Sequence, residues 1–61
     1  MGPMDQLRAI ADYRNRADQL RALANETPRP EKKEALTRAA ASCEAIAAQM
    51  EQELRQPAPA D

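Results

Sequence analysis

The sequence has no histidine, phenylalanine, tryptophan or valine, and it has one cysteine, one tyrosine and one glycine. Each shortage closes a class of fold or function. With a single thiol, Cys43, and no imidazole, one chain cannot assemble the Cys/His ligand set of a zinc site. The same thiol has no base to activate it as a nucleophile. No glycine-rich phosphate loop, catalytic triad or carboxylate pair in an apolar setting is present, so the expectation is a protein that is not an enzyme and holds no cofactor or metal. Strands favour β-branched and aromatic side chains, and only Ile10, Tyr13, Thr27, Thr37 and Ile46 qualify. No apolar run nears the roughly 20 residues that span a bilayer. The opening residues lack the charged-then-apolar pattern of a secretory leader, and a lone cysteine suits a reducing compartment. The expected location is the cytoplasm.

An excess of one charge is missing as well. Nine basic and ten acidic residues give a net charge of −1, and the signs are interspersed. A dedicated nucleic-acid binder carries a clear positive excess, so nucleic acid is not the expected partner.

What the sequence does have is alanine and helix formers. Sixty-one residues make one small domain, and 14 of them are alanine. The large apolar side chains of its folded part number about ten: Met4, Leu7, Ile10, Tyr13, Leu20, Leu23, Leu36, Ile46, Met50 and Leu54. A chain this short buries only about 60% of its unfolded surface, so a lone core is marginal.

Periodicity predicts a first helix from about Met4 to Ala24. Ile10, Tyr13, Ala17, Leu20 and Ala24 share one sector at 3-4-3-4 spacing, flanked by Leu7 and Leu23 on opposite sides. A second helix is predicted from about Pro30 to Arg55. There Leu36, Ala39, Ala40, Cys43, Ile46, Ala47, Met50 and Leu54 form a stripe about 120° wide. Between them lies NETPRP, residues 25–30. Proline belongs in a helix's first turn or outside it, and it pushes the preceding residue, here Thr27 or Arg29, out of the α region. Asn25 is expected to end the first helix in the left-handed conformation. Thr27 is read as a cap for a helix starting at Pro28, with Pro30 as the other start. The prolines thus act as a stiff reversal. Residues 1–3 are read as a cloning remnant before Met4, and residues 56–61, QPAPAD, as a disordered tail.

Two helices cannot enclose stripes this wide. The expected fold is all-α: an antiparallel two-helix hairpin assembling as a homodimeric four-helix bundle. Its self-association core is expected to comprise Leu7, Ile10, Tyr13, Ala17, Leu20, Leu23, Leu36, Ala39, Ala40, Cys43, Ile46, Ala47, Met50 and Leu54. Residues 16–38 carry six basic and four acidic groups, whereas residues 4–15 and 39–55 carry three and five. This imbalance favours the turn of one hairpin beside the open end of its copy, by about 1 kcal/mol or less.

Particular residues allow a plain and a sharper reading. Cys43 reads as a buried, inert thiol; in an antiparallel dimer it would lie near its own copy and crosslink on mild oxidation. Tyr13 reads as a ring at the edge of the core, or as a binding anchor. The arginines of YRNRADQLR can pair along the helices, Asp12 with Arg16, Arg14 with Asp18 and Asp18 with Arg21, as can Glu34 with Arg38 and Glu51 with Arg55. At the turn Arg29, Lys32 and Lys33, with neighbouring Arg21, are less neutralised and are the candidate contact for an anionic partner. Ala41, Ala45 and Ala48, on the outer face, serve helix propensity or offer a flat surface to a partner helix.

The elements Tyr13-Arg14, Leu20 to Ala24, Pro30-Glu31, Leu36, Ala39-Ala40 and Glu51 resemble a pattern found in short helical-hairpin proteins of alphaproteobacteria. This resemblance covers about two-thirds of the chain and implies a bacterial cytoplasmic helical hairpin, with no catalytic or binding residue to carry over. Cys43 stands where such sequences more often have a bulkier residue. In length and topology the chain is also similar to the plasmid-encoded RNA-binding hairpin dimers that regulate copy number. Three functional readings therefore stand: a self-associating interaction module with a regulatory or adaptor role, an RNA- or DNA-binding dimer using the basic turn, and a hairpin completed by a different protein.

Overall fold

The computed structural model describes residues 2–55, which form two packed helices, α1 (Pro3–Glu26) and α2 (Pro30–Arg55). Met1 and the expected tail at 56–61 lie outside the described residues. The fold is an all-α antiparallel hairpin. The three-residue connection between the helices reverses the chain, and two cross-helix ion pairs, Arg14–Glu51 and Arg21–Glu44, step seven residues down one helix and seven up the other.

Local chemistry sets the helix ends. Pro3, with φ already near its helical value, opens α1 one residue before the expected Met4. Gly2 precedes it in an extended conformation, and its carbonyl accepts the Asp5 N–H at 3.1 Å. Asp5 also suits the positive end of the helix dipole.

The C-terminus of α1 corrects the sequence reading. Asn25 does not turn left-handed, since no described residue has positive φ; the helix continues to Glu26. Thr27 leaves it in an extended conformation, at φ −93° and ψ 117°. Pro28 excludes Thr27 from the α region, and Thr27 uses both its donors to close the helix behind it. Its N–H donates to the Ala24 carbonyl at 3.2 Å and its hydroxyl to the Leu23 carbonyl at 2.6 Å. Carbonyls that would be orphaned at the helix end are thereby satisfied. Thr27 is the end of α1 and not the cap of α2. Of the two starts considered, α2 takes Pro30, and the Arg29 carbonyl accepts the Lys33 N–H at 2.9 Å.

The buried seam is made almost wholly of methyl groups. Ile10, Ala17 and Ala24 on α1, and Ala40 and Ala47 on α2, are at most 4% exposed. They recur every seven residues on each helix. Alanine in these rows permits an approach near the short end of the 8–10 Å range for packed helices. It also limits what the seam contributes, at about 0.8 kcal/mol per buried carbon group. Ile10 is the one large side chain in this buried set among the described residues. Against an ordering cost of about 1–2 kcal/mol per residue, such a seam is thin.

Candidate interaction surface

Burial changes systematically around each helix. The ion-pair row lies on one flank and comprises Leu7, Arg14 and Arg21 on α1, with Glu44 and Glu51 on α2. Next comes the buried inner row just described, which Leu54 extends as a half-buried residue. A middle row follows, Tyr13, Leu20 and Thr27 with Leu36, Cys43 and Met50, and all six are half-buried. Beyond it lies an outer row: Ala9, Arg16 and Leu23 on α1, and Lys32, Ala39, Ile46 and Glu53 on α2. In that row Leu23 is 53% and Ile46 42% exposed, while Ala9 and Ala39 are half-buried. The rows follow from 3.6-residue geometry, each seven-spaced set running almost parallel to the helix axis.

The sequence-predicted apolar set is thus divided. One half of the stripe is covered by the sister helix, and the other half opens onto a single face of the hairpin. Leu7, also 53% exposed, sits on the ion-pair flank and away from that face. Met4, 73% exposed, belongs to neither row. Cys43 is half-buried in the middle row rather than enclosed. Tyr13 is half-buried too, and the Arg16 guanidinium lies 5.7 Å from its ring centroid, in cation–π range. That contact was not anticipated, although its i,i+3 spacing could have suggested it.

Electrostatics on the opposite flank also differ from the sequence reading. Arg14 and Arg21 do not pair with Asp18 along the helix. Arg14 Nη2 donates to Glu51 Oε1 at 3.1 Å. Arg21 grips Glu44 with both terminal nitrogens, Nη2 reaching Oε1 at 2.6 Å. A bidentate carboxylate clamp is geometrically superior to the oblique reach within one helix. The hydrogen bonds from Arg21 hold the Glu44 carboxyl below its ordinary pKa, and the same bonds raise that of Arg21. Of the pairs expected within a helix, Glu34–Arg38 closes, at 3.9 Å.

The basic turn is consequently smaller than predicted. Arg21 is committed to Glu44, so the structure does not leave it with Arg29, Lys32 and Lys33 as a common cluster. Those three are exposed, and Lys33 borders a shallow hollow with Asn25, Glu26, Thr27, Pro28 and Pro30. Ala41, Ala45 and Ala48 are exposed on the outer surface of α2.

Among the described residues, no cluster of three or more His, Cys, Asp or Glu side chains could hold a metal ion, and no helix is long and apolar enough to cross a membrane. No protein-family model matches the chain, and no curated protein and no solved structure matches it.

Proposed function

We propose that this chain is a non-enzymatic interaction module that works in the cytoplasm as a homodimer, two hairpins joining their open faces into a four-helix bundle. A small regulatory or adaptor role follows, with the outer surface of α2 around Ala41, Ala45 and Ala48 left for a protein partner. The carrying observation is the continuous apolar surface that runs from the buried inner row through the half-buried middle row to exposed Leu23 and Ile46, on one side of the seam only; the other flank is charged apart from Leu7. Covering the rest of those two side chains in both copies gains about 1 kcal/mol each, some 4 kcal/mol before the middle row is counted.

Molar mass by light scattering, followed with helicity across a dilution series, tests the proposal. The expected result is a dimer whose helicity falls as it dissociates. Fully helical single hairpins at all concentrations would overturn it. A poorly helical monomer would instead favour a bundle completed by a different protein. Binding to a generic duplex that weakens steeply with salt would favour the basic turn as a nucleic-acid contact.

A further inference from the structure

We propose that the two copies dock with α2 antiparallel to α2, about a twofold axis passing beside Ser42 and Cys43, so that Lys32 of each copy faces Glu53 of the other. This rests on the self-association reading and specifies its geometry.

The outer row of α2 is self-complementary when reversed. From the turn outward it reads Lys32, Ala39, Ile46, Glu53: base, small, large apolar, acid. A second copy laid antiparallel and centred between residues 42 and 43 meets it position by position. Lys32 comes opposite the partner's Glu53, and Ala39 comes opposite the partner's Ile46. Both relations repeat by symmetry, as a twofold interface requires. The apolar pair matches a bulky, 42% exposed side chain to a half-buried alanine, which leaves room for it. The charged pair closes the interface at both ends.

The ion-pair flank supports the same geometry. Arg14–Glu51 and Arg21–Glu44 already occupy the opposite side of the seam, where α1 meets α2 of the same chain. In an all-antiparallel four-helix bundle each helix has two neighbours, one per flank. The flank that remains for α2 is the one carrying Lys32, Ala39, Ile46 and Glu53. Docking with both turns at one end would instead gather Arg29, Lys32 and Lys33 of both copies together, with like charges adjacent. It would also set the α2 row against Ala9, Arg16 and Leu23, whose single charge is basic and which carry no acid for Lys32.

Disulfide trapping decides between these arrangements. Two variants are made in a Cys43→Ser background, Lys32→Cys and Glu53→Cys, and each is oxidised alone and as a refolded mixture. Positions 32 and 53 lie about 31 Å apart along one helix at 1.5 Å per residue, so neither an intrachain bond nor a bond between like positions is within reach. The expected result is a covalent dimer in the mixture and none from either variant alone. Crosslinking of Lys32→Cys or Glu53→Cys alone would overturn the docking, since it places like ends together. A dimeric mass under reducing conditions with no crosslink in the mixture would also overturn the docking, while leaving self-association standing. A monomeric mass of the Cys43→Ser parent and of the unsubstituted protein would remove the underlying reading itself.

Discussion

Leu7 and Leu23 provide a controlled comparison, because both are leucines on α1 and both are 53% exposed. They occupy opposite flanks of the seam, Leu7 toward the open end of the hairpin and Leu23 toward the turn. Truncating leucine to alanine removes three carbons, worth about 2.4 kcal/mol at about 0.8 kcal/mol per carbon group when fully buried. Roughly half of that is realised within the hairpin, so both variants should lose about 1 kcal/mol of hairpin stability. The other half, about 1.3 kcal/mol per copy, is realised only if a neighbour covers the side chain. For Leu23 two copies contribute, giving about 2.5 kcal/mol, or a dissociation constant raised about 70-fold. For Leu7 no such increment exists. Sedimentation equilibrium of Leu23→Ala, Leu7→Ala and the parent protein over a concentration series measures the difference directly. Equal dissociation constants for the two variants would refute the assignment of the open face, and a larger effect at Leu7 would invert it.

Ala47 is wholly buried where the helices approach closely, so Ala47→Leu should destabilise by about 1–3 kcal/mol through overpacking, read as a lower midpoint in a thermal melt followed by circular dichroism. The Glu44 carboxyl is held below its ordinary pKa by hydrogen bonds from Arg21, then by the charges of Arg21 and Arg14. Its folded value therefore lies below the unfolded one, and its stabilisation is present above about pH 4.3 and lost as pH falls through the lower folded value. The melting-temperature gap between the parent and Glu44→Gln should accordingly be constant near neutrality and close below about pH 4; because both side chains are nearly half exposed the gap is small. Replacing Pro28 and Pro30 together by alanine frees Thr27 and Arg29 to become helical. It should cost about 0.4–1 kcal/mol per site through the unfolded chain, and light scattering should detect higher-mass species in which α1 and α2 run on as one helix.

The hairpin itself was legible in the sequence because two independent signals agree. The apolar rows of α1 and α2 each keep one phase for more than three turns, and Pro28 and Pro30 leave no way to join them into a single rod. The register was not legible. Arg14 and Arg21 each have Asp18 within reach along the same helix, so on paper the local pairing is as good as any other. Only the height of α2 against α1 brings Glu51 and Glu44 into range, and that height is a tertiary property. The end of α1 was missed for a smaller reason. Asn25 is the familiar left-handed residue, but a threonine held extended by the following proline can satisfy the same carbonyls without any positive φ.

A wheel diagram also hides which half of a broad stripe the sister helix takes, yet a signal for it was present. On both helices alanine recurs every seven residues in one row, Ala17 and Ala24 against Ala40 and Ala47, while the adjacent row carries Tyr13, Leu20, Leu36, Cys43 and Met50. Small residues mark the side where backbones approach, because large ones there would hold the helices apart. Large residues one row over then have no room between two close helices and must point away from the seam. The open apolar face is thus a geometric consequence of the alanine row, and the same consequence bears on the charges. Arg21 is drawn to Glu44 because the close seam brings the two helices' flanking groups within bidentate reach, and Lys32 has a reciprocal acid in the outer row. With Arg21 held by Glu44, and Lys32 held by the partner's Glu53 in the proposed docking, Arg29 and Lys33 would be what the turn retains for an anion, a small share of the charge that nucleic-acid binding draws on. On the proposed docking, self-association and nucleic-acid binding through the turn would therefore draw on the same lysine.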